Sequence, residues 1–243
     1  MRVSRNELTA SLKKAFEGLG FSVGDYQDAA AMVVWSEMHG LGGLSQLQRA
    51  LPFLDNSPCL NAKLISNTEQ QVVLDGQNSS VLLCGTQAVR LACAMAGEKG
   101  NGRVQLDNCH NRQLISQCLV GAAQLGSALV AYWQQDNLGH KLSIEAGAQQ
   151  PEYRQYSLAN SGCAQSLLIF VSTDLAEIEH QFIAETTLGV EAHSVGPEAM
   201  LESYNQALEL GIEIVAELWH ELDNLVARVL VESTESSRAG AGD

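Results

Sequence analysis

The sequence predicts an α/β protein in which a mixed sheet is flanked by helices, with a helical N-terminal cap and a long C-terminal helix. The main observation is a strand–helix–strand order in the runs GRVQLDN, RQLISQCLVGAAQLG and SALVAYW. At these lengths the order forms a β-α-β unit, which indicates a partly parallel sheet covered by helices. Helical patterns come both before and after the strand-forming runs, so we expect one interlocked body.

The N-terminal cap is predicted from residues that start and stop helices. Ser4 and Glu7 form an S-x-x-E capping box, which opens a helix with one apolar face. A second helix is predicted from Asp25 to Met38. The following run, HGLGGLSQLQRALPFL, predicts a glycine-rich turn and then a short helix.

The middle of the chain contains short runs of the kind that form strands. They are AKLIS, QQVVLD, SSVLLCG and, further on, SLLIFVS. Asp75 and Gly76 lie between the second and third runs and predict a hairpin turn. A helix is expected from Thr86 to Lys99, whereas residues 134–163 have no clean period and are expected to hold loops and edge strands.

The C-terminal part carries one apolar stripe from Leu201 to Val229, with spacings of three and four that are typical of a helix. Pro197 suits the first turn of this helix, and Gly211 is expected to kink or divide it. We therefore divide the chain into a helical N-terminal region (1–56), a mixed α/β core (57–195), a C-terminal helical region on the same body (196–232) and a flexible tail (233–243).

Composition and charge disfavour several classes of function. The chain has 28 Asp and Glu residues against 14 Lys and Arg, a formal charge of −14, which disfavours nucleic-acid and membrane-surface binding. The same charge opposes an anionic ligand unless a few cations are focused in its pocket. Six cysteines occur without a C-x-x-C pair, most of them in apolar runs, as in cytosolic proteins with reduced thiols. With no apolar leader or span, a cytoplasmic location is expected.

Three long runs carry a resemblance to a known family. They are GFSVGDYQDAAAMVVWSEMHGLGGLSQLQR, VVLDGQNSSVLLCGTQAVRLACAMA and RVQLDNCHNRQLISQCLVGAAQLGSALVAYW. In order and spacing they resemble the malate/L-lactate dehydrogenase family, so the chain looks like a shortened, divergent member or part of a related uncharacterised bacterial family. The resemblance implies an L-sulfolactate dehydrogenase-like fold and a homodimer.

The family's most specific motif is changed in this sequence. Members use a histidine to pass a proton while hydride moves to or from a nicotinamide. An alignment without gaps from Gly20 places Leu44 on that histidine, and Gln48 on the arginine that binds the substrate carboxylate. Arg49 is one position further, about 100° around a helix. A gapped alignment instead makes His39 catalytic, while the alternative is a histidine favoured by the helix C-terminus.

A second family motif, S-x-H-F-G in the loop beside the cofactor, aligns its histidine with His110 in DNCHN. This histidine follows a predicted strand and precedes a helix, where α/β folds place functional groups, although a purely structural loop is the alternative. The candidates that the resemblance gives are His110 and His39 for proton transfer, Arg49 and Arg112 for the substrate carboxylate, and Asp107 and Asn108 beside NAD or NADP.

Two functional hypotheses follow. The first is a divergent NAD(P)H-dependent oxidoreductase of a small 2-oxo, 2-hydroxy or imino acid, for which His110 is the main argument. The second is a non-catalytic relative that binds a small ligand or serves as a partner subunit, which the loss of the family's histidine and arginine favours. No metal site is expected, since the histidines lack ligand spacing, and the glycine run GLGGL lacks the context of a dinucleotide fingerprint.

Overall fold

The computed structural model describes residues 1–55, 59–159 and 165–229. Its helices are α1 (Arg5–Gly18), α2 (Val23–Met38), α3 (Gly43–Leu54), α4 (Val81–Lys99), a 3-10 helix (Arg112–Ile115), α5 (Ser116–Gln124), α6 (Leu175–Glu185), α7 (Pro197–Leu210) and α8 (Ala216–Ala227). Its strands are β1 (Arg2–Val3), β2 (Lys63–Asn67), β3 (Val72–Ser80), β4 (Asn101–His110), β5 (Ala128–Gln135), β6 (Leu138–Ile144), β7 (Glu152–Ser157), β8 (Leu167–Ser172), β9 (Val190–Val195) and β10 (Ile212–Glu213). The predicted α/β class is confirmed.

Eight strands form one mixed sheet in the order β2-β3-β4-β8-β5-β6-β7-β9. β3 and β4 are parallel, and the other neighbouring pairs are antiparallel. The predicted β-α-β unit of β4, α5 and β5 is present, and β8 is inserted between its two strands. Because β8 is antiparallel to both, β4 and β5 still run in the same direction.

The centre of the sheet is buried on both faces. One face of β5 and β8 belongs to the main core, together with α4 and α5. The other face packs against α6 in a smaller cluster of Ala128, Val130, Tyr132, Phe170, Ile178 and Phe182. Both strands are nearly continuous apolar runs because side chains on either face are removed from water.

The N-terminal cap begins as the sequence predicts. The Ser4 hydroxyl accepts a hydrogen bond from the Glu7 amide at 3.2 Å, and the Glu7 carboxylate accepts one from the Ser4 amide at 2.7 Å. The buried face of α1 packs against α2 and α8. The predicted capping box is therefore confirmed.

The predicted hairpin at Asp75–Gly76 is wrong, because β3 continues through it to Ser80. Gln77 and Asn78 adopt left-handed conformations, with φ of 53° and 59°, and shift the register of β3 against β4 without ending the strand. The run SVLLCG is likewise not a strand: α4 begins at Val81, and the Ser80 hydroxyl caps it by accepting from the Leu82 amide. Turn-type residues here form a bulge, since the parallel neighbour β4 supports both sides of it.

The expectation of loops and edge strands over 134–163 is wrong for β6, which lies between β5 and β7, and for β7, which lies between β6 and β9. The alternation of apolar and polar residues in β6 is obscured because some of its polar side chains are buried together with hydrogen-bonding partners. A ring nitrogen of His140 lies 2.8 Å from the Tyr153 hydroxyl, and Lys141 donates to Glu179 on α6 at 2.6 Å. Pairing allows these polar groups to be buried at tolerable cost.

Gly211 divides the C-terminal stripe, which is one of the two outcomes expected for it. Its φ of +77° ends α7, and the short strand β10 then pairs with β1 before α8 begins. Pro197 occupies the first turn of α7, as predicted. The tail (233–243) and Cys163 lie outside the described residues.

In the described part of the chain, no helix has both the length and the apolar character needed to cross a membrane. The described cysteines are all free thiols. The cytoplasmic location, the homodimer and the division into regions stay predictions.

His140 makes stability dependent on pH. Burial, together with the charge of Arg112, lowers the pKa of His140 to about 4. Below about pH 6.5 the unfolded chain therefore binds a proton at this residue, whereas the folded chain does not until about pH 4. The free energy of unfolding consequently decreases as the pH falls. Between pH 7 and pH 5 we expect this residue to cost about 2 kcal/mol of unfolding free energy. Urea denaturation of His140→Gln should show a correspondingly smaller loss, whereas His193→Gln, at an exposed histidine, should behave as wild type.

Candidate functional site

The carboxyl ends of the parallel strands β3 and β4 meet at one point of the sheet, where Ser80 is the register partner of His110. β3 leads directly into α4, and β4 leads into the 3-10 helix through Asn111, whose φ is 56°. α/β sheets commonly place ligand-binding groups at such strand ends. We call this region the strand-end site.

Asp107 and Asn108, predicted to lie beside the cofactor, are at this site but bind other protein groups. The Asp107 carboxylate accepts from the Gln105 amide at 2.8 Å. Asn108 is exposed, with φ of 50°, and its side-chain amide donates to Asp75 at 2.9 Å. Hydrogen bonds from Asn108 and from the Gln77 amide hold the pKa of Asp75 below its usual range.

His110 is half-buried and lines a cavity of about 20 Å³ together with Phe53 and Leu54 of α3. Burial, and then the nearby Arg112, lower the pKa of His110. A volume of this size holds roughly one water molecule. The cavity at the strand-end site, as described, is therefore smaller than a nicotinamide ring.

Arg112 is a structural clamp and is not available to a carboxylate. Its two terminal nitrogens donate to the backbone carbonyls of Cys109 at 3.1 Å and of Gln134 at 3.0 Å. Burial lowers the pKa of Arg112, and its Nε is buried without a hydrogen-bond partner among the described residues. The guanidinium thus ties the end of β4 to the end of β5.

Leu44 is buried at the start of α3, and its amide donates to the Glu37 carboxylate at 2.8 Å. α3 approaches α2 closely here, since a Cβ added to Gly43 would overlap the carbonyl of Val33. Arg49 is exposed on α3, and its Nε donates to the Ser45 carbonyl of the same helix at 3.3 Å. Neither Leu44 nor Arg49 lines the cavity at His110.

His39 lies elsewhere, at the C-terminal end of α2, and is only 4% exposed. Its ring stacks between Trp35 at 3.9 Å and Tyr204 of α7 at 5.1 Å. Nδ1 lies 2.8 Å from the Trp35 carbonyl, so it donates a proton there, and Nε2 has no hydrogen-bond partner among the described residues. Burial lowers the pKa of His39, which keeps the ring neutral near neutral pH.

His39 lines a second cavity, of about 220 Å³, that the sequence did not predict. It lies between α1, α2, α5 and α7, and we call it the basic cavity. α1 contributes Arg5, Thr9 and Lys13, and none of the residues that line the cavity is acidic. The spacing of these three residues, i, i+4 and i+8 on one helix face, is the signal that would have indicated it.

The cations of the basic cavity are unpaired. In the described ranges, the side chains of Arg5 and Lys13 make neither an ion pair nor a hydrogen bond, whereas the neighbouring Lys14 pairs with Glu17 at 2.7 Å. His39 therefore shares a cavity with two unpaired cations, whereas the cation near His110, Arg112, is already bound to backbone carbonyls. Within the same ranges, no three potential metal-ligating side chains are grouped to hold a metal ion.

Comparison with protein families and curated proteins gives little functional information. A family model described as "Protein of unknown function (DUF3726)" matches residues 3–79. No curated protein matches the chain. The N-terminal third of the chain is thus similar to a family whose description names no activity.

Solved structures give a clear likeness of fold. Malate dehydrogenase from Pyrococcus horikoshii OT3 is 14% identical, with a TM-score of 0.68 over 96% of each chain. Malate dehydrogenase from Entamoeba histolytica is 10% identical, with a TM-score of 0.70 over 96% of this chain and 99% of the other. Sulfolactate dehydrogenase from Methanocaldococcus jannaschii is 10% identical, with a TM-score of 0.64 over 93% and 97%. The chain therefore has a malate and sulfolactate dehydrogenase-like fold, and identities this low show the fold alone.

The two arginines predicted to bind a carboxylate should differ in their effect on stability. Arg112→Gln leaves two buried carbonyls without their charged donor, so we expect a loss of about 2 kcal/mol in unfolding free energy. Arg49→Gln removes an exposed side chain and should change it by less than about 0.5 kcal/mol. Urea denaturation of both variants measures this. An Arg112→Gln variant as stable as wild type would contradict the structural role.

Proposed function

We propose that this chain binds a small carboxylate or related oxyanion in the basic cavity and does not transfer hydride. The observation that carries the proposal is the presence of two unpaired cations, Arg5 and Lys13, around one cavity that has no acidic residue. In a chain with a formal charge of −14, this arrangement provides the local focus of cations that an anionic ligand needs.

The other residues of the cavity suit an oxyanion of modest size. Gln27 and Gln117 offer neutral hydrogen-bonding groups from two helices, while the Thr9 hydroxyl already donates to the Arg5 carbonyl at 2.7 Å. His39 contributes Nε2, which becomes a donor if an anion favours the protonated ring. A volume of about 220 Å³ is smaller than the pockets that usually hold drug-sized ligands, which supports a ligand of only a few non-hydrogen atoms.

Several features argue against hydride transfer at the strand-end site. The residue aligned with the family's histidine is the buried Leu44, which has no proton to give. The Arg112 guanidinium is occupied by carbonyls, and the cavity beside His110 has space for about one water molecule. The strand-end site therefore offers neither a free cation nor the space that the reaction requires.

The rival function is an oxidoreductase of a small 2-oxo, 2-hydroxy or imino acid that uses NAD or NADP. The likeness of fold to malate and sulfolactate dehydrogenases favours it. The position of His39 beside Arg5 and Lys13 also favours it, because His39 would protonate an acid substrate while the two cations orient its carboxylate. The nicotinamide would supply the hydride when bound.

Binding of malonate and of sulfate, at constant ionic strength, tests the proposal. Trp35 lines the cavity, so its fluorescence should report binding, with calorimetry as a second measurement. Lys13→Gln removes an unpaired cation and should weaken binding about tenfold. Lys14→Gln removes an equal charge from the adjacent, ion-paired position and should change the affinity less than about twofold.

Two outcomes would overturn the proposal. Equal losses in the Lys13→Gln and Lys14→Gln variants would mean that net charge, and not the cavity, attracts the anion. Saturable binding of NADPH or NADH in the micromolar range, with turnover of 2-oxo acids, would establish the rival function. His39→Gln should then abolish turnover, because a glutamine does not protonate the substrate.

A further inference from the structure

A third cavity, of about 340 Å³, is bounded by α2, α4 and α5. We call it the three-helix cavity. It shares Gln117 with the basic cavity but is otherwise lined by different residues. Its volume is within the range of small-molecule sites, about 300–1,000 Å³.

The walls of the three-helix cavity are mainly apolar. Val89, Ala122 and Leu125 line it together with the thiols of Cys93 and Cys118. Burial raises the pKa of both thiols, that of Cys118 to about 12, so they stay protonated and behave as small apolar groups. The cavity therefore favours a ligand with an apolar body.

Two opposite charges face the same cavity without partners. Asp28 of α2 and Arg90 of α4 both line it, and neither makes an ion pair or hydrogen bond within the described ranges. They therefore form no direct ion pair, yet both act on the Cys118 thiol, whose pKa Asp28 raises and Arg90 lowers. Elsewhere in the same ranges, the cations without any such contact are Arg5, Lys13 and Lys63.

We propose that the three-helix cavity binds a small zwitterion with an apolar side chain, of the class of the apolar α-amino acids. Asp28 accepts hydrogen bonds from the ammonium group, Arg90 donates to the carboxylate, and the apolar walls enclose the side chain. Such a ligand pairs with both charges at once, whereas an anion or a cation alone pairs with only one of them. This site is separate from the basic cavity and does not depend on it.

Calorimetric titration with L-leucine, L-methionine and L-phenylalanine tests the ligand class. We expect at least one of them to bind. Two analogues of leucine each lack one charge: 4-methylpentanoate has no ammonium group and 3-methylbutylamine has no carboxylate. Each should bind at least about tenfold more weakly than leucine. Equal affinity for either analogue, or no binding of any of the three amino acids at about 10 mM, would overturn the proposal.

Gly121 provides a test of the location. A Cβ added to it meets open space, and the residue lines the cavity, so Gly121→Leu fills the site while leaving the backbone of α5 in place. The matched control is Gly97→Leu on α4, where a Cβ also meets open space away from the cavity. We expect Gly121→Leu to abolish amino-acid binding and Gly97→Leu to retain it, with thermal melts confirming that both variants fold.

Charge variants at the two cavities separate the amino-acid site from the proposed anion site. Arg90→Gln should weaken leucine binding about tenfold and leave 3-methylbutylamine binding unchanged. Lys13→Gln, which affects the proposed anion site, should leave leucine binding unchanged, so failure of one proposal is distinguishable from failure of the other. Unchanged leucine binding in Gly121→Leu would place the amino acid elsewhere and overturn the assignment.

Discussion

Burial of both faces of β5 and β8 is the constraint on which the rest of the structure depends. These strands form the centre of the sheet, and each face must be covered by helices because apolar side chains alternate between the two. α6 covers one face, while α4 and α5 cover the other and are in turn covered by α2. Both proposed ligand cavities lie between the helices of this thicker side. The two cavities are thus spaces left between the helices that cover this face of the sheet.

Much of the fold could be predicted because its signals are local. The capping box at Ser4 and the β-α-β order depend on residues close in sequence. The errors occurred where a distant partner changes the meaning of a local pattern. Gln77 and Asn78 form a bulge only because β4 supports β3 on both sides of it, and β6 is an interior strand because Tyr153 and Glu179 satisfy its polar side chains.

Less of the candidate site could be predicted. The sequence placed His110 between a strand and a helix, as in the structure. It could not show that the Arg112 guanidinium donates to two carbonyls, since one of these, of Gln134, is on a different strand. The polar face of α1 could be predicted from Arg5, Thr9 and Lys13, whereas the opposing charges of Asp28 and Arg90 line one cavity only because α2 packs on α4. The resemblance therefore indicated the scaffold, and packing determined which side chains are free to bind.

The two outer strands of the sheet, β2 and β9, also bear on aggregation. An unpaired strand edge can template pairing with another chain and lead to fibrils. Here each edge is short, at five and six residues, and includes a charged side chain, Lys63 or Glu191. The outer pairing is also irregular at both ends, with register shifts beside Leu64 and between Gln155 and Tyr156. A bulged edge that carries a charge is a poor template for pairing with another chain, which counteracts the exposed apolar side chains of Leu64, Ile65 and Val190 on these strands.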